Sequence, residues 1–105
     1  MVAPSKSQTK VTRGLKVLSA DIGDLADLDV EWETLADGER ASWSLDWDHM
    51  MGTYLPLIDE AYRDGRMAPE QVEAYRETMV RLKAALPILD RLNLMRPLVP
   101  LDLPE

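Results

Sequence analysis

Two segments of this chain place apolar residues at alternating steps of three and four, and only a short loop separates them. This spacing is typical of a helix with one apolar face, because an α-helix returns to the same side about every 3.6 residues. The connecting loop is short, so the sequence predicts two helices that pack antiparallel as a hairpin. The first series is Trp43, Trp47, Met50, Tyr54, Leu57 and Ala61, and the second is Val72, Tyr75, Met79, Leu82, Leu86 and Leu89.

Residues at the predicted helix ends support the hairpin. Asp37 is a suitable N-cap for the first helix, and Leu35 lies just outside it, where a hydrophobic staple forms. Asp64 and Gly65 end that helix, because glycine readily takes the left-handed conformation of a C-terminal cap. Pro69 suits the first position of the second helix, where no N–H is needed.

Each predicted helix of the hairpin contains an internal proline, Pro56 in the first and Pro87 in the second. A proline inside a regular helix removes a backbone hydrogen bond and costs about 3 kcal/mol relative to alanine. The apolar spacing continues past both prolines, so the sequence predicts kinked rather than broken helices.

A third helical pattern precedes the hairpin. Ser19 or Asp21 can cap its start, and Asp37 with Gly38 can end it. The predicted fold class is therefore all-α: a small helical bundle built on the long antiparallel hairpin, with a preceding shorter helix. The apolar positions of this helix, which precedes the hairpin, are Leu18, Ile22, Leu25, Leu28, Trp32 and Leu35.

The two ends of the chain lack this periodicity. Residues 1–16 are polar and basic, and we expect a flexible tail there, without the apolar run of a signal peptide. Residues 96–105 contain three prolines and are expected to form an extended tail whose leucines pack on the bundle or on another chain. Residues 17–95 form the single predicted helical domain. No apolar run approaches the roughly 18 residues that span a membrane.

Charge is unevenly distributed along the chain. The 105 residues include 12 basic and 19 acidic ones, which gives a formal net charge of −7. Residues 1–16 contain bases and no acid, whereas residues 17–60 contain twelve acids against the single base Arg40. The acidic block argues against nucleic acid and anionic membrane as partners and would steer the chain toward a basic protein surface.

The composition limits the chemistry of the chain. It has no cysteine and one histidine, His49, so disulfides, thiolate metal sites, cysteine nucleophiles and multi-histidine sites within one chain are excluded. It also lacks a Gly-x-Ser-x-Gly motif and a glycine-rich phosphate loop. We therefore expect a protein that is not an enzyme and that uses no cofactor.

One alternative is a helical bundle that binds a metal or small ligand at a carboxylate–histidine site. The i, i+3 spacing of Asp46 and His49 lets a carboxylate and an imidazole meet one ion, and Asp48 is a further ligand candidate. On the predicted apolar seam, Trp47 and Met50 face inward, which turns Asp48 and His49 outward. Such a site would therefore have to form between protomers.

Tryptophans, acids and the apolar C-terminal region are the candidate contact residues. The tryptophans gather near one end of the predicted bundle, either as part of the core or as an aromatic anchor ringed by acids. The end of the last helix is apolar on nearly every side, which favours burial against another subunit. The candidate partner-binding residues are Trp32, Trp43, Trp47, Asp46, Asp48, Ile88, Leu92, Leu98, Val99 and Leu101.

These features favour a non-catalytic protein–protein interaction module, a small acidic cytoplasmic protein that forms a homodimer and binds a basic partner protein. Antitoxins, immunity proteins, adaptors and regulators share this physical description, and the sequence does not separate them. Two alternatives stay open. The acidic block is either a binding surface or an ordinary solvated face, and the C-terminal tail packs either within the chain or across a dimer.

Overall fold

Helices make up most of residues 6–103, the part of the chain that the computed structural model describes. No strand occurs in this range, so the predicted all-α fold class is confirmed. None of the helices in this range is long and apolar enough to cross a membrane. A 3₁₀ turn follows the first helix, and a π-helical turn joins the second to the third. In chain order the elements are α1 Lys6–Glu31, the 3₁₀ turn Trp32–Thr34, α2 Asp37–His49, the π turn Met50–Tyr54, α3 Leu55–Arg63, α4 Pro69–Ala84 and α5 Leu86–Leu92.

The first helix, α1, is longer than the sequence pattern predicts. It begins at Lys6 rather than near Leu18, because Val11 and Leu15 extend the buried apolar stripe. The expectation of a flexible tail is therefore wrong for residues 6–16, and the rest of that predicted tail lies outside the described residues. At about 1.5 Å per residue, the 26 residues of α1 make a helix about 39 Å long.

α1 is also the helix around which the bundle is built, because α3, α4 and α5 all pack against it. Gly14 permits the close approach of α3, since a Cβ added there would lie only 2.8 Å from Cδ1 of Ile58. On the α4 side, the Arg81 guanidinium donates to the Ser19 side chain at 2.7 Å and to the Ser19 carbonyl at 3.1 Å. The side of α1 that faces away from these helices, including its acidic second half, lies on the surface.

The two internal prolines have different structural outcomes. Before Pro56, the Leu55 N–H bonds to the carbonyl of Met50, five residues back, and this wider π turn avoids the clash of a proline ring with a regular helix. The predicted continuity is confirmed here. At Pro87 the regular helix is interrupted between α4 and α5 only at Ala85, which keeps right-handed helical angles and a hydrogen bond to the Arg81 carbonyl, as expected of a kink rather than a break.

The π turn also changes which side chains of α3 face the core. Its extra residue advances the inward positions by one, from the predicted Tyr54 and Leu57 to Leu55 and Ile58. Leu55 is fully buried and Ile58 is 4% exposed, whereas Tyr54 and Leu57 are 46% and 58% exposed. The uninterrupted seam of α4 lies where predicted, with Tyr75, Met79 and Leu82 buried.

Two predicted helix ends are confirmed, whereas the predicted end of the helix that precedes the hairpin, at Asp37 and Gly38, is wrong, because α1 ends at Glu31. Gly65 follows α3 with a left-handed φ of 71°, and Pro69 is the first residue of α4. At the start of α2, however, the cap is Ala36 and not Asp37. The Ala36 N–H is satisfied by the Glu39 carboxylate at 3.3 Å.

The C-terminal segment packs on its own chain. Asn93, with a left-handed φ of 57°, ends α5, and Leu94 is then buried. The indole N–H of Trp47 donates to the Met95 carbonyl at 2.8 Å, which fixes the segment to α2. Residues 94–103 contain no helix, as predicted for the proline-rich region, and its last two residues lie outside the described range.

Candidate protein-binding surface

A shallow groove with a volume of about 450 Å³ lies between the end of α1 and the beginning of α2. Its lining combines leucines and an indole with two carboxylates. Such a surface can hold an apolar side chain against its floor and a cation at its edge. We name it the acidic groove, and it is lined by Leu28, Leu35, Gly38, Glu39, Ser42, Trp43 and Asp46.

The aromatic residue of the acidic groove is held in place by a second tryptophan. Trp43 is half-buried and stacks on Trp47 with ring centroids 5.6 Å apart. Trp47 is only 1% exposed and is fixed by its hydrogen bond to the Met95 carbonyl. Trp43 is therefore a supported, partly accessible contact residue, whereas the prediction that Trp47 contacts a partner is wrong because its side chain lies in the core.

Three carboxylates converge where α1 and α2 meet beside the groove. Asp21 on α1 is half-buried, and its burial, followed by the negative charges of Asp24 and Asp46, raises its pKa above the ordinary value. Burial is the larger cause, and the smaller one, repulsion from Asp24 and Asp46, places negative potential beside the groove. A cation bound beside Asp46 would relieve that repulsion.

Acids of this region have no ion-pair partner within residues 6–103. They are Asp21, Asp24, Asp27, Asp46 and Asp48. Other acids are paired with arginine, as in Asp29–Arg91, Asp59–Arg63 and Asp90–Arg96, whereas Glu70, Glu73 and Glu77 on α4 also lack an ion pair in this range. Unpaired negative charge therefore lies on α2 and the second half of α1, beside the acidic groove, and on α4.

The structure divides the predicted contact residues by exposure. Leu92, at 7% exposed, joins Trp47 in the core, so its prediction as a contact residue is also wrong. Among the predicted residues, Trp43 and Asp46 lie together in the acidic groove, while Asp48 does not line it. The partly buried ones are Trp32, Trp43, Ile88, Val99 and Leu101, and the exposed ones are Asp46, Asp48 and Leu98.

The alternative metal site gains no support within one chain. Asp46, Asp48 and His49 are all exposed, and the His49 ring lies edge-on to Tyr54 with centroids 5.0 Å apart. Across the described range, no group of three or more histidines and carboxylates is arranged to hold a metal ion.

Sequence reasoning missed a buried polar network between α3 and α4. Asp59, 6% exposed, accepts hydrogen bonds from the Tyr75 hydroxyl and from Nε of Arg63, both at 2.7 Å. Burial, followed by the bond to Asp59, raises the pKa of Tyr75, which keeps its hydroxyl protonated as a donor. Asp59 lies next to Ile58 on α3. Like Ile58, it faces inward only because the π turn shifts the inward positions by one residue.

The groove residues Leu28, Leu35 and Glu39 were also absent from the predicted contact set. Leu28 and Leu35 do belong to the apolar series of the predicted helix that precedes the hairpin. Their role in a groove depends on the angle at which α2 leaves the 3₁₀ turn, which the spacing of apolar residues does not encode.

Comparisons with known protein families, with curated proteins and with solved structures found no match to this chain. A functional proposal for it must therefore be drawn from the chemistry of its own surface.

Proposed function

We propose that this chain is a non-catalytic binding module that docks a basic segment of a partner protein in the acidic groove. The observation that carries the proposal is the composition of the groove, in which half-buried Trp43 lies beside two leucines and between Glu39 and Asp46. Partly exposed tryptophans on a supported surface are typical of the residues that dominate binding energy at protein interfaces.

The chemistry of the groove defines the partner segment. A large apolar side chain, such as leucine or phenylalanine, fits against Trp43 and the leucines. Lysine or arginine on either side of it would face Glu39 and Asp46. The unpaired acids on α1 add long-range attraction, so the association rate should be fast at low salt and fall as salt screens the charges.

Self-association is part of this proposal. The C-terminal segment, which the sequence offered to a second subunit, packs on its own chain but leaves Leu98 66% exposed. Large apolar side chains are also exposed on the helices, among them Val17 at 51% and Val30 at 83% on α1 and Val80 at 70% on α4. A contact between copies is proposed on α1, where two such side chains lie on one helix.

A defined peptide tests the proposed docking. The probe is a synthetic arginine-rich peptide with one central leucine, titrated against the protein while the tryptophan fluorescence is recorded. Binding should change the emission of Trp43 and weaken steeply between about 50 and 500 mM salt. A peptide with serine in place of the leucine should bind at least about tenfold more weakly, because the apolar contact is lost.

Two substitutions of equal charge change separate the acidic groove from general attraction. Asp46→Lys alters a groove residue and should weaken peptide binding at least about tenfold. Asp48→Lys alters an exposed residue of the same helix that does not line the groove, and should weaken binding no more than about twofold. Equal losses in both variants, or binding insensitive to salt, would contradict the proposal.

A further inference from the structure

The outer side of α1 carries bases in its first half and acids in its second half. Small exposed residues, Ala20 and Gly23, lie between the two groups. No member of either group forms an ion pair within residues 6–103. The bases are Lys10, Arg13 and Lys16, and the acids are Asp24, Asp27 and Glu31, all exposed.

These groups share one side of the helix because of its periodicity. Arg13, Ala20 and Asp27 are spaced seven residues apart, and each lies two residues after a buried core position. Two residues turn an α-helix by about 200°, so the three side chains point away from the core. The core positions that precede them are Val11, Leu18 and Leu25.

Opposite charges are arranged symmetrically about Ala20. When a second α1 crosses antiparallel at this residue, Arg13 of one copy lies opposite Asp27 of the other, and Lys16 lies opposite Asp24. Each pair occurs twice, because a two-fold axis relates the copies. A parallel arrangement would instead place bases opposite bases, which repulsion between like charges disfavours.

The residues between the charges are partly apolar and small. Val17, 51% exposed, and Gly23 flank Ala20 on either side, and a Cβ added at Gly23 would lie 3.5 Å from a guanidinium nitrogen of Arg81. Ala20 lies on the axis itself, where a small side chain lets two helices approach closely.

We propose that a second copy of this chain packs antiparallel along the outer side of α1, held by reciprocal Arg13–Asp27 and Lys16–Asp24 ion pairs. This inference rests on the self-association included in the proposed function and names its surface. Because the contact is one helix pair rich in charge, the interface is small and its stability depends strongly on salt. It leaves Asp46 of the acidic groove available to a different partner.

A charge-swap experiment tests this pairing. The mass in solution is measured by sedimentation at about 50 mM salt for the wild type, Arg13→Glu, Asp27→Arg, an equimolar mixture of both variants, and the double variant. Each single variant sets two repulsive pairs in the interface and should raise the dimer dissociation constant at least about a hundredfold. In the mixture, glutamate 13 of one chain meets arginine 27 of the other, so a heterodimer should form. The double variant should dimerise with itself.

The control variant is Glu77→Arg, which makes the same charge change as Asp27→Arg at an exposed position of α4. It should dimerise like the wild type, and circular dichroism should show native helix content in every variant. A monomeric wild type would overturn both self-association and the pairing. A dimer that survives Arg13→Glu and Asp27→Arg unchanged, or a mixture of variants that stays monomeric, would overturn the antiparallel α1 contact and leave self-association to another surface.

Discussion

Carboxylates on two sides of this molecule stand in opposite relations to folding. Asp90 and Asp29 are bonded to Arg96 and Arg91, and these hydrogen bonds hold the pKa of each carboxyl below its ordinary value. Asp21, beside the acidic groove, has a raised pKa because of burial and nearby acids. The paired carboxylates Asp90 and Asp29 therefore favour the folded state near neutral pH, whereas ionised Asp21 opposes it. The comparison indicates that a cation bound near Asp21 would lower the cost of its negative charge.

Among the acids that are paired with arginine, Asp59 should cause the largest loss of stability when it is replaced. Asp59→Ala should lower the free energy of unfolding by about 2–3 kcal/mol, because it leaves the buried Tyr75 hydroxyl without its acceptor and opens a small cavity. Urea denaturation measures this loss. The matched control is Glu60→Ala, an exposed neighbour on the same helix, which should change stability by less than about 0.5 kcal/mol. Equal effects at the two positions would contradict a structural role for the Asp59 network.

Replacing Asp21, which has no arginine partner, should change stability in the opposite direction. Asp21→Asn should raise stability near neutral pH by a few tenths of a kcal/mol, a small gain because solvent screens much of the repulsion. The sign follows from the raised pKa: the ionised carboxylate opposes folding above the folded-state pKa, and that penalty disappears when the group is protonated. The gain should therefore vanish as the pH falls below the ordinary value of 3.8.

Thermal unfolding at several pH values checks this expectation. Asp48→Asn is the control, since this exposed residue makes the same charge change on α2. A destabilised Asp21→Asn variant near neutral pH, or a gain that persists in acid, would contradict the assignment of repulsion to Asp21, Asp24 and Asp46.

The smallest effect is expected at the exposed pair of Asp90 and Arg96, whose atoms lie 2.7 Å apart. Asp90→Asn should lower the melting temperature slightly near neutral pH. Because the folded-state pKa is lowered, the stabilising contribution exists above the ordinary carboxyl value and is lost as the pH falls through the folded-state pKa. A double-mutant cycle with Arg96→Gln measures the pair, and its coupling should shrink with added salt. A coupling unchanged by salt would not fit a solvent-exposed pair.

The part of the fold that the sequence predicts best is α4, where no interruption separates Tyr75, Met79 and Leu82. The prediction fails at Tyr54, the last residue of the π turn, and at Leu57 just after it, which are both exposed. Proline signals that a regular helix must adjust, but the same signal produced a π turn before Pro56 and a one-residue interruption before Pro87, and the spacing of apolar residues does not encode which one forms.

The candidate surface was predictable only in part. Trp43 and Asp46 were expected to contact a partner and do line the acidic groove. Trp43 and Trp47 share one face of a helix four residues apart, so spacing alone cannot tell which ring is buried. The C-terminal segment decides it, because Met95 supplies the acceptor for the Trp47 indole.

The central position of α1 has a consequence for synthesis on the ribosome. Protein chains emerge with the N-terminal side first, so α1 leaves the exit tunnel before α4 and α5 exist to cover it. Its apolar stripe, which includes Leu18 and Leu25, can then be covered by α3 only in part, and is not fully covered until translation passes about Leu92. Nascent chains that stall after α3 would present the rest of this stripe to water and to chaperones. In this protein the first described helix to be made is among the last to be enclosed.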